Sequence, residues 1–184
     1  MLNPRLRTLI LMILAAAATR LLPHPPNFTS ITALALFGGA RFADRRLAYA
    51  VPLLALLLSD LLLGVYWSWS SMAYDSHMWL QYLCFALVVT LGLGLRQRPG
   101  MMRTAKTMLA GSMLFFVISN FGVWVFHSLY PHTAAGLVAC YVAAITFFGN
   151  SLAGDAFYTV LMFGGMYLLE SRFVSLREPE PIRA

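Results

Sequence analysis

The chain has 184 residues, of which 60% are hydrophobic and 11% charged, whereas a soluble domain carries about 25% charged residues. With a mean hydropathy of +0.73, this composition excludes an ordinary water-soluble domain. Such a chain is stable in lipid, where every backbone polar group must be paired internally and only helices or a closed barrel suffice. The apolar runs are continuous rather than alternating, which excludes a barrel and leaves an all-α, polytopic membrane helix bundle. The net charge of +6 does not indicate a nucleic-acid partner: of the 13 basic residues only Lys106 is lysine, and the arginines sit at the ends of apolar runs, as they do in cytoplasmic loops of membrane proteins.

In chain order, a first span is predicted over 6–22, ended by Pro23, Pro25 and Pro26, with Arg20 in its last turn. Arg5 and Arg7, the apolar run 8–14 and the alanines 15–18 imitate a signal peptide. The apolar stretch continues through Leu21 and Leu22, however, so the segment is read as a retained span. A short second span covers 31–42, with Ala35 and Gly39 four residues apart for close helix contact. The third, 47–66, carries Pro52 and Asp60; the fourth covers 79–95 and the fifth 107–126. The apolar stretch 134–169 is interrupted by Gly149, Asn150, Gly154 and Asp155. It is divided into a helix at the outer face, 136–148, and a sixth span, 152–170. Six spans place every basic cluster on one side and both termini in the cytoplasm, whereas seven would put the basic tail outside. The whole chain forms one transmembrane domain.

Candidate functional residues lie mostly toward the outer side. Asp60 falls roughly 20 Å from the cytoplasmic end of its span at about 1.5 Å per residue. A carboxylate at that depth must find a partner inside the bundle. Either Arg20, at a comparable depth, forms a structural ion pair with it, or Asp60 lines a polar substrate cavity. Asp155 falls in the first turn of the expected sixth span, where it complements the helix N-terminus and Asn150 or Ser151 caps it; Tyr158 shares its face. On the fifth span Phe116, Asn120 and Trp124 form a stripe. Asn120 is expected either in an interhelical hydrogen bond or against a ligand, with Trp124 as a stacking wall. Tyr66, Trp67, Trp69, Tyr74 and Trp79 make either an interfacial belt or a lid over a flat ligand. His24, His77, His127 and His132 match no metal-binding spacing, and Cys84 and Cys140 lie inside apolar segments, where a bridge is not expected. The sequence carries no phosphate-binding loop, dinucleotide fingerprint or serine-hydrolase elbow, so no ATP-driven motor resides in it.

The runs 27–40 (Asn27, Phe28 and Thr29 through Gly38, Gly39 and Ala40), 52–54, 59–64 around Asp60, 119–124 around Asn120 and Trp124, and 147–155 around Asn150 and Asp155 resemble a family of small bacterial membrane proteins thought to serve transport. The resemblance covers about 19–165; Thr146 departs from it, standing where the family pattern has proline. More distantly, the helix number, the size and the small-residue–Asp–Leu–Leu pattern resemble the substrate-binding S-components of energy-coupling factor transporters. That resemblance implies a six-span protein of the bacterial inner membrane that binds a vitamin-like small molecule from outside. It works either with a coupling subunit and ATPases or alone, as the solitary vitamin B12 transporters of that fold do. The implied substrate site comprises Asn27, Phe28, Asp60, Tyr66, Trp67, Cys84, Asn120, Trp124, Asn150, Asp155 and Tyr158. Cobalamin is the specific substrate implied, with no permanently bound cofactor. Cys84 is then either a buried small hydrophobe or a thiolate ligand to corrinoid cobalt, which would also promote slow loss of an upper cobalamin ligand. The other reading is a structural or assembly protein without a substrate, whose polar residues only join helices.

Overall fold

The computed structural model describes residues 3–66, 78–96 and 100–177, without the side chains of Tyr66 and Met78. Throughout these residues the fold is helical. Helix α1 (Pro4–Ala18) starts where the Asn3 side chain accepts from the Arg5 N–H and Pro4 takes the first position, whose N–H would be unpaired in any case. A 3-10 turn, Thr19–Leu21, extends it. Helix α2 (Ile31–Arg41) follows a nine-residue irregular stretch, 22–30. Helix α3 (Arg45–Tyr66) is preceded by Asp44, whose carboxylate accepts from the Arg46 N–H. Helices α4 (Met78–Leu93) and α5 (Met101–Phe126) come next. Helix α6 (Ala134–Thr159), capped by Thr133, passes through a π-helical turn at Val160–Gly164 into α7 (Gly165–Arg172).

Three of these are long and apolar enough to cross a membrane: Arg45–Val65, Met101–Phe126 and the continuous 39-residue Ala134–Arg172. Their outward faces are apolar. Leu54, Leu58 and Val65 are exposed along α3, and Val138, Val142, Ile145, Val160 and Leu168 along α6 and α7. A water-soluble monomer rarely leaves contiguous apolar surface of this extent, whereas lipid covers it at no cost.

The rods run antiparallel in sequence order. At one end, the start of α1, the end of α2 and the end of α7 meet through Arg5, Arg41 and Glu170. Arg5 is buried and its Nη1 lies 2.6 Å from both Glu170 Oε1 and the Leu176 carbonyl, while Arg41 reaches Glu170 Oε2 at 3.4 Å. Arg96 at the end of α4 and Arg103 at the start of α5 join the same end. At the other end Arg20 bridges α1 to α3, and Trp79 at the start of α4 packs edge-on against Phe126 at the end of α5.

Helix α2 sits inside this ring. Eight of its 11 residues, Thr32 to Gly39, are buried, so it is surrounded by protein rather than lipid. It packs against α4 backbone to backbone. A Cβ on Gly39 would stand 2.9 Å from the Gly92 backbone, and one on Gly92 would stand 3.0 Å from the Leu36 Cα. A Cβ on Gly38 would overlap the Pro52 ring of α3, so this proline, rather than kinking α3 into lipid, fills a notch on α2.

Two sequence expectations are corrected here. Segment 31–42 does not give a full span, because 11 residues rise about 16 Å, half of a ~30 Å hydrocarbon core. Hydropathy alone cannot separate apolar residues buried in protein from apolar residues facing lipid. Segments 136–148 and 152–170 are not separate helices but parts of Ala134–Arg172. No proline interrupts the stretch, glycine in a helix costs only about 1 kcal/mol, and Thr133 rather than Asn150 or Ser151 is the cap.

The α2–α4 contact makes a sharp prediction. Gly92→Val must push the two backbones apart and should cost at least about 3 kcal/mol. Gly149→Ala, at a helix position with nothing within 4 Å of the new Cβ, should be neutral or stabilising by up to about 1 kcal/mol. Thermal unfolding of the detergent-solubilised protein compares them.

Candidate functional site: a polar cavity beside the α2 N-terminus

At the arginine-poor end, between the 22–30 stretch, α2, α5 and α6, lies a cavity of about 880 Å³. Each long helix presents one stripe to it. From α5 come Ser112, Phe116, Ser119 and Asn120; from α6 come Ala144, Phe148, Ser151 and Asp155. Both sets follow the three- and four-residue steps of one helical face. The 3-10 turn adds Arg20, the irregular segment His24 and Asn27, and α4 Gln81. Asn27 holds φ at 61°, a left-handed conformation that asparagine tolerates better than most side chains, and there the chain turns down toward α2. Non-helical backbone at such a place is stable where it lines a cavity or lies within protein.

Asp155 is the centre of the arrangement. It is only 4% exposed. Ser112 Oγ of α5 donates to its Oδ2 at 2.6 Å, and the hydroxyl and backbone N–H of Thr32, in the first turn of α2, stand beside the same carboxylate and favour its charged form. Ser30, at the cap position of α2, does not cap its own helix: its hydroxyl donates to the Ala16 carbonyl of α1 at 2.9 Å. The carboxylate of α6 therefore takes over the N-terminus of α2, meeting an unpaired N–H group and the positive end of the helix dipole. Gly154 makes the approach possible, since a Cβ there would stand 2.9 Å from the Thr29 nitrogen.

Arg20 and Asp60 form an ion pair, Nη2 to Oδ1 at 2.6 Å, with both side chains largely buried. Arg20 Nη1 also donates to Ser59, and the Tyr82 hydroxyl donates to Asp60 Oδ2 at 2.9 Å. Arg20 faces the cavity whereas Asp60 lies behind it. The pair joins α1, α3 and α4 and fixes the guanidinium in the wall.

Of the remaining candidates, Asn27, Asn120 and Asp155 reach the cavity. The Asn120 amide donates at 2.7 Å to the Phe116 carbonyl of its own helix, which corrects the expected interhelical bond. Trp124 points away and donates from Nε1 to the Pro131 carbonyl, with His132 against its ring. Phe28 and Tyr158 pack on one another under the 22–30 stretch. Asn150 ties that stretch to α6 by donating to the Pro26 carbonyl. Cys84 is fully buried in the core and outside the cavity wall, so in this arrangement its thiol meets no ligand. Cys140 is buried too and donates weakly to the Asn120 carbonyl. The Tyr66 side chain and Trp67 lie outside the described residues. Among the described residues no three His, Cys, Asp or Glu side chains gather as a metal site requires. Ser112 and Ser119 were not singled out as site residues from sequence, and Ser151 only as a possible helix cap; their helical spacing from Asn120 and Asp155 was the available signal.

The wall thus offers hydroxyls, amides, aromatic faces, one guanidinium already paired and one carboxylate with neutral donors. That is the equipment for holding a small polar molecule, and the volume falls within the roughly 300–1,000 Å³ of small-molecule sites.

If Arg20 and Asp60 are partners, their replacements are strongly non-additive. Asp60→Ala should cost roughly 3–5 kcal/mol by stranding a buried charge, and the double change with Arg20→Ala should cost less than the single one. Thermal melts of the four proteins in one detergent measure the coupling; additive losses would contradict a paired role.

The chain matches no curated protein and no solved structure. A single family model, described as a family of unknown function (DUF6580), matches residues 1–178. The chain, matched by that model over almost its whole length, belongs to the DUF6580 family.

Proposed function

We propose that this protein is a substrate-binding uptake protein of the bacterial inner membrane, similar in kind to the S-components of energy-coupling factor transporters. In this reading the chain crosses the membrane in six passes, with α2 as a half-length pass completed by the 22–30 stretch. The arginine-rich end faces the cytoplasm with both termini, so the cavity opens outward. The observation that carries the reading is the cavity itself: about 880 Å³ of space whose largely apolar wall is set with Arg20, Asn27, Ser112, Ser119, Asn120 and Asp155, in a chain that elsewhere turns apolar side chains outward. Polar groups at membrane depth are costly and are retained where a solute or ion uses them. Short helices whose N-termini end beside a cavity are also the way membrane transporters build solute sites. A coupling subunit with ATPases would supply energy, or the protein works alone.

The reading does not rest on cobalamin. Thiolate ligation by Cys84 would require the fully buried side chain to reach the cavity by a rearrangement of α4. A vitamin-like solute held by the hydroxyls, amides and Asp155 needs no such movement.

The test is retention of a solute. Protein purified gently from its membrane should carry a small molecule detectable by mass spectrometry after denaturation. Ala144→Trp, which places an indole in the cavity wall, should reduce that occupancy at least about tenfold while leaving the melting profile intact. An empty wild-type protein, indistinguishable from Ala144→Trp, would leave the polar residues as helix joints and favour the structural or assembly role.

A further inference from the structure

Three charged side chains belong to the cavity region, and their sum is not zero. Arg20 is neutralised by Asp60. Asp155 is not neutralised: its polar neighbours, Ser112 and Thr32, are uncharged. Among the described residues the ion pairs join Arg5 and Arg41 to Glu170 and Arg20 to Asp60, and none reaches Asp155. His24, the other basic side chain of the wall, is exposed and engaged through Nδ1 with the Pro25 carbonyl. A carboxylate accepts at about four positions, and the hydrogen bond from Ser112 with Thr32 alongside leaves capacity for a further partner. A buried carboxylate without a counter-ion in a low-dielectric bundle is costly, and a cation entering the cavity removes that cost.

The cavity also says what kind of cation. Phe115 and Phe116 of α5 and Phe147 and Phe148 of α6 line it, with the Phe116 and Phe148 rings packed on one another at 4.6 Å between centroids. Aromatic faces carry negative potential and hold weakly hydrated organic ammonium groups in preference to small, strongly hydrated metal ions. Phe148 lies seven residues before Asp155 on the same helical face, two turns toward the opening. The cavity wall thus joins packed aromatic rings to a carboxylate.

We infer that the solute taken by this cavity is a small organic monocation, its ammonium group seated against Asp155 and its carbon skeleton against the phenylalanines. The inference rests on the cavity being a solute site and adds the charge and class of the solute. It also gives Asp155 two linked tasks, since the carboxylate that seats the cation is the one that holds the N-terminus of α2. Occupancy and the position of α2 are thereby connected through one side chain.

Choline and its uncharged isostere 3,3-dimethylbutan-1-ol separate charge from shape. Full-length protein in lipid nanodiscs, freed of retained solute by dialysis, is titrated with each and followed by saturation-transfer NMR. Choline should bind at least about tenfold more tightly than the isostere, and Asp155→Asn should remove that preference. Because Asp155 also anchors α2, the melting profile of this variant is taken alongside. Phe148→Leu, which breaks no inter-helix hydrogen bond, gives an independent reading: the preference for choline over the isostere should fall roughly threefold or more, whatever both lose in apolar contact. Equal binding of the two probes, or a preference untouched by both substitutions, overturns the inference. If a retained solute is found in the wild type but choline shows no preference, only the charge assignment falls. If no solute is retained and neither probe binds, the cavity reading falls with it.

Discussion

A helix of 11 residues has nearly as many unpaired backbone groups at its ends as it has internal hydrogen bonds. Buried at the centre of a membrane bundle, such a helix survives only if its neighbours satisfy those ends. Helix α2 meets this constraint twice. At its N-terminus, the Asp155 carboxylate of α6 stands beside Thr32. At its C-terminus, Arg96 at the end of α4 donates from Nε to the Gly39 carbonyl at 2.8 Å. A negative group thus stands at the positive end of the dipole and a positive group at the negative end. The neighbours must also come close, and glycine permits it: Gly39 and Gly92 let α2 and α4 touch along their backbones, and Gly154 lets the 22–30 stretch lie on α6.

The cavity follows from the same arrangement. A short central helix leaves unfilled volume between its N-terminus and the arginine-poor end of the ring, and the irregular 22–30 stretch only partly closes it. The long helices α5 and α6 continue past this level, so their inward stripes line space instead of meeting α2. Polar groups stand among its apolar lining because the segment ends there are polar: the N-terminus of α2, the turn at Asn27 and the guanidinium of Arg20. Structural necessity and binding capability are therefore carried by the same residues, Asp155 above all.

How much of this the sequence discloses depends on which physical signal carries it. Composition and run length suffice for the helical fold, and the depth of Asp60 suffices to pair it with Arg20, because a buried charge needs a partner whatever the detailed packing. Asp155 was assigned to a helix N-terminus on sound electrostatics, but to its own helix; the N-terminus it meets belongs to α2, which one-dimensional pattern cannot reveal. The half-length of α2 is hidden because leucine and alanine look alike whether lipid or protein surrounds them. Glu170 and its contacts with Arg5 and Arg41 were invisible for a different reason. Basic residues near span ends read as water-facing orientation signals, yet these two are partly or fully withdrawn into an ion-paired cluster. The cavity stripes on α5 and α6 were only half legible: Asn120 and Asp155 stood out as costly, while the serines beside them, common in membrane helices as local hydrogen-bond donors, did not.

The central claim is that a solvent-accessible cavity opens beside the N-terminus of α2 at the end opposite the arginine-rich one. Cysteine accessibility tests it most directly. In a background with Cys84 and Cys140 replaced by alanine, Ser119→Cys of the cavity wall and Leu58→Cys of the lipid-facing side of α3 are exposed, in intact spheroplasts, to a membrane-impermeant maleimide. The account expects rapid labelling at position 119 and none at 58. Equal protection of both positions, with 119 reacting only after the membrane is dissolved, would contradict it.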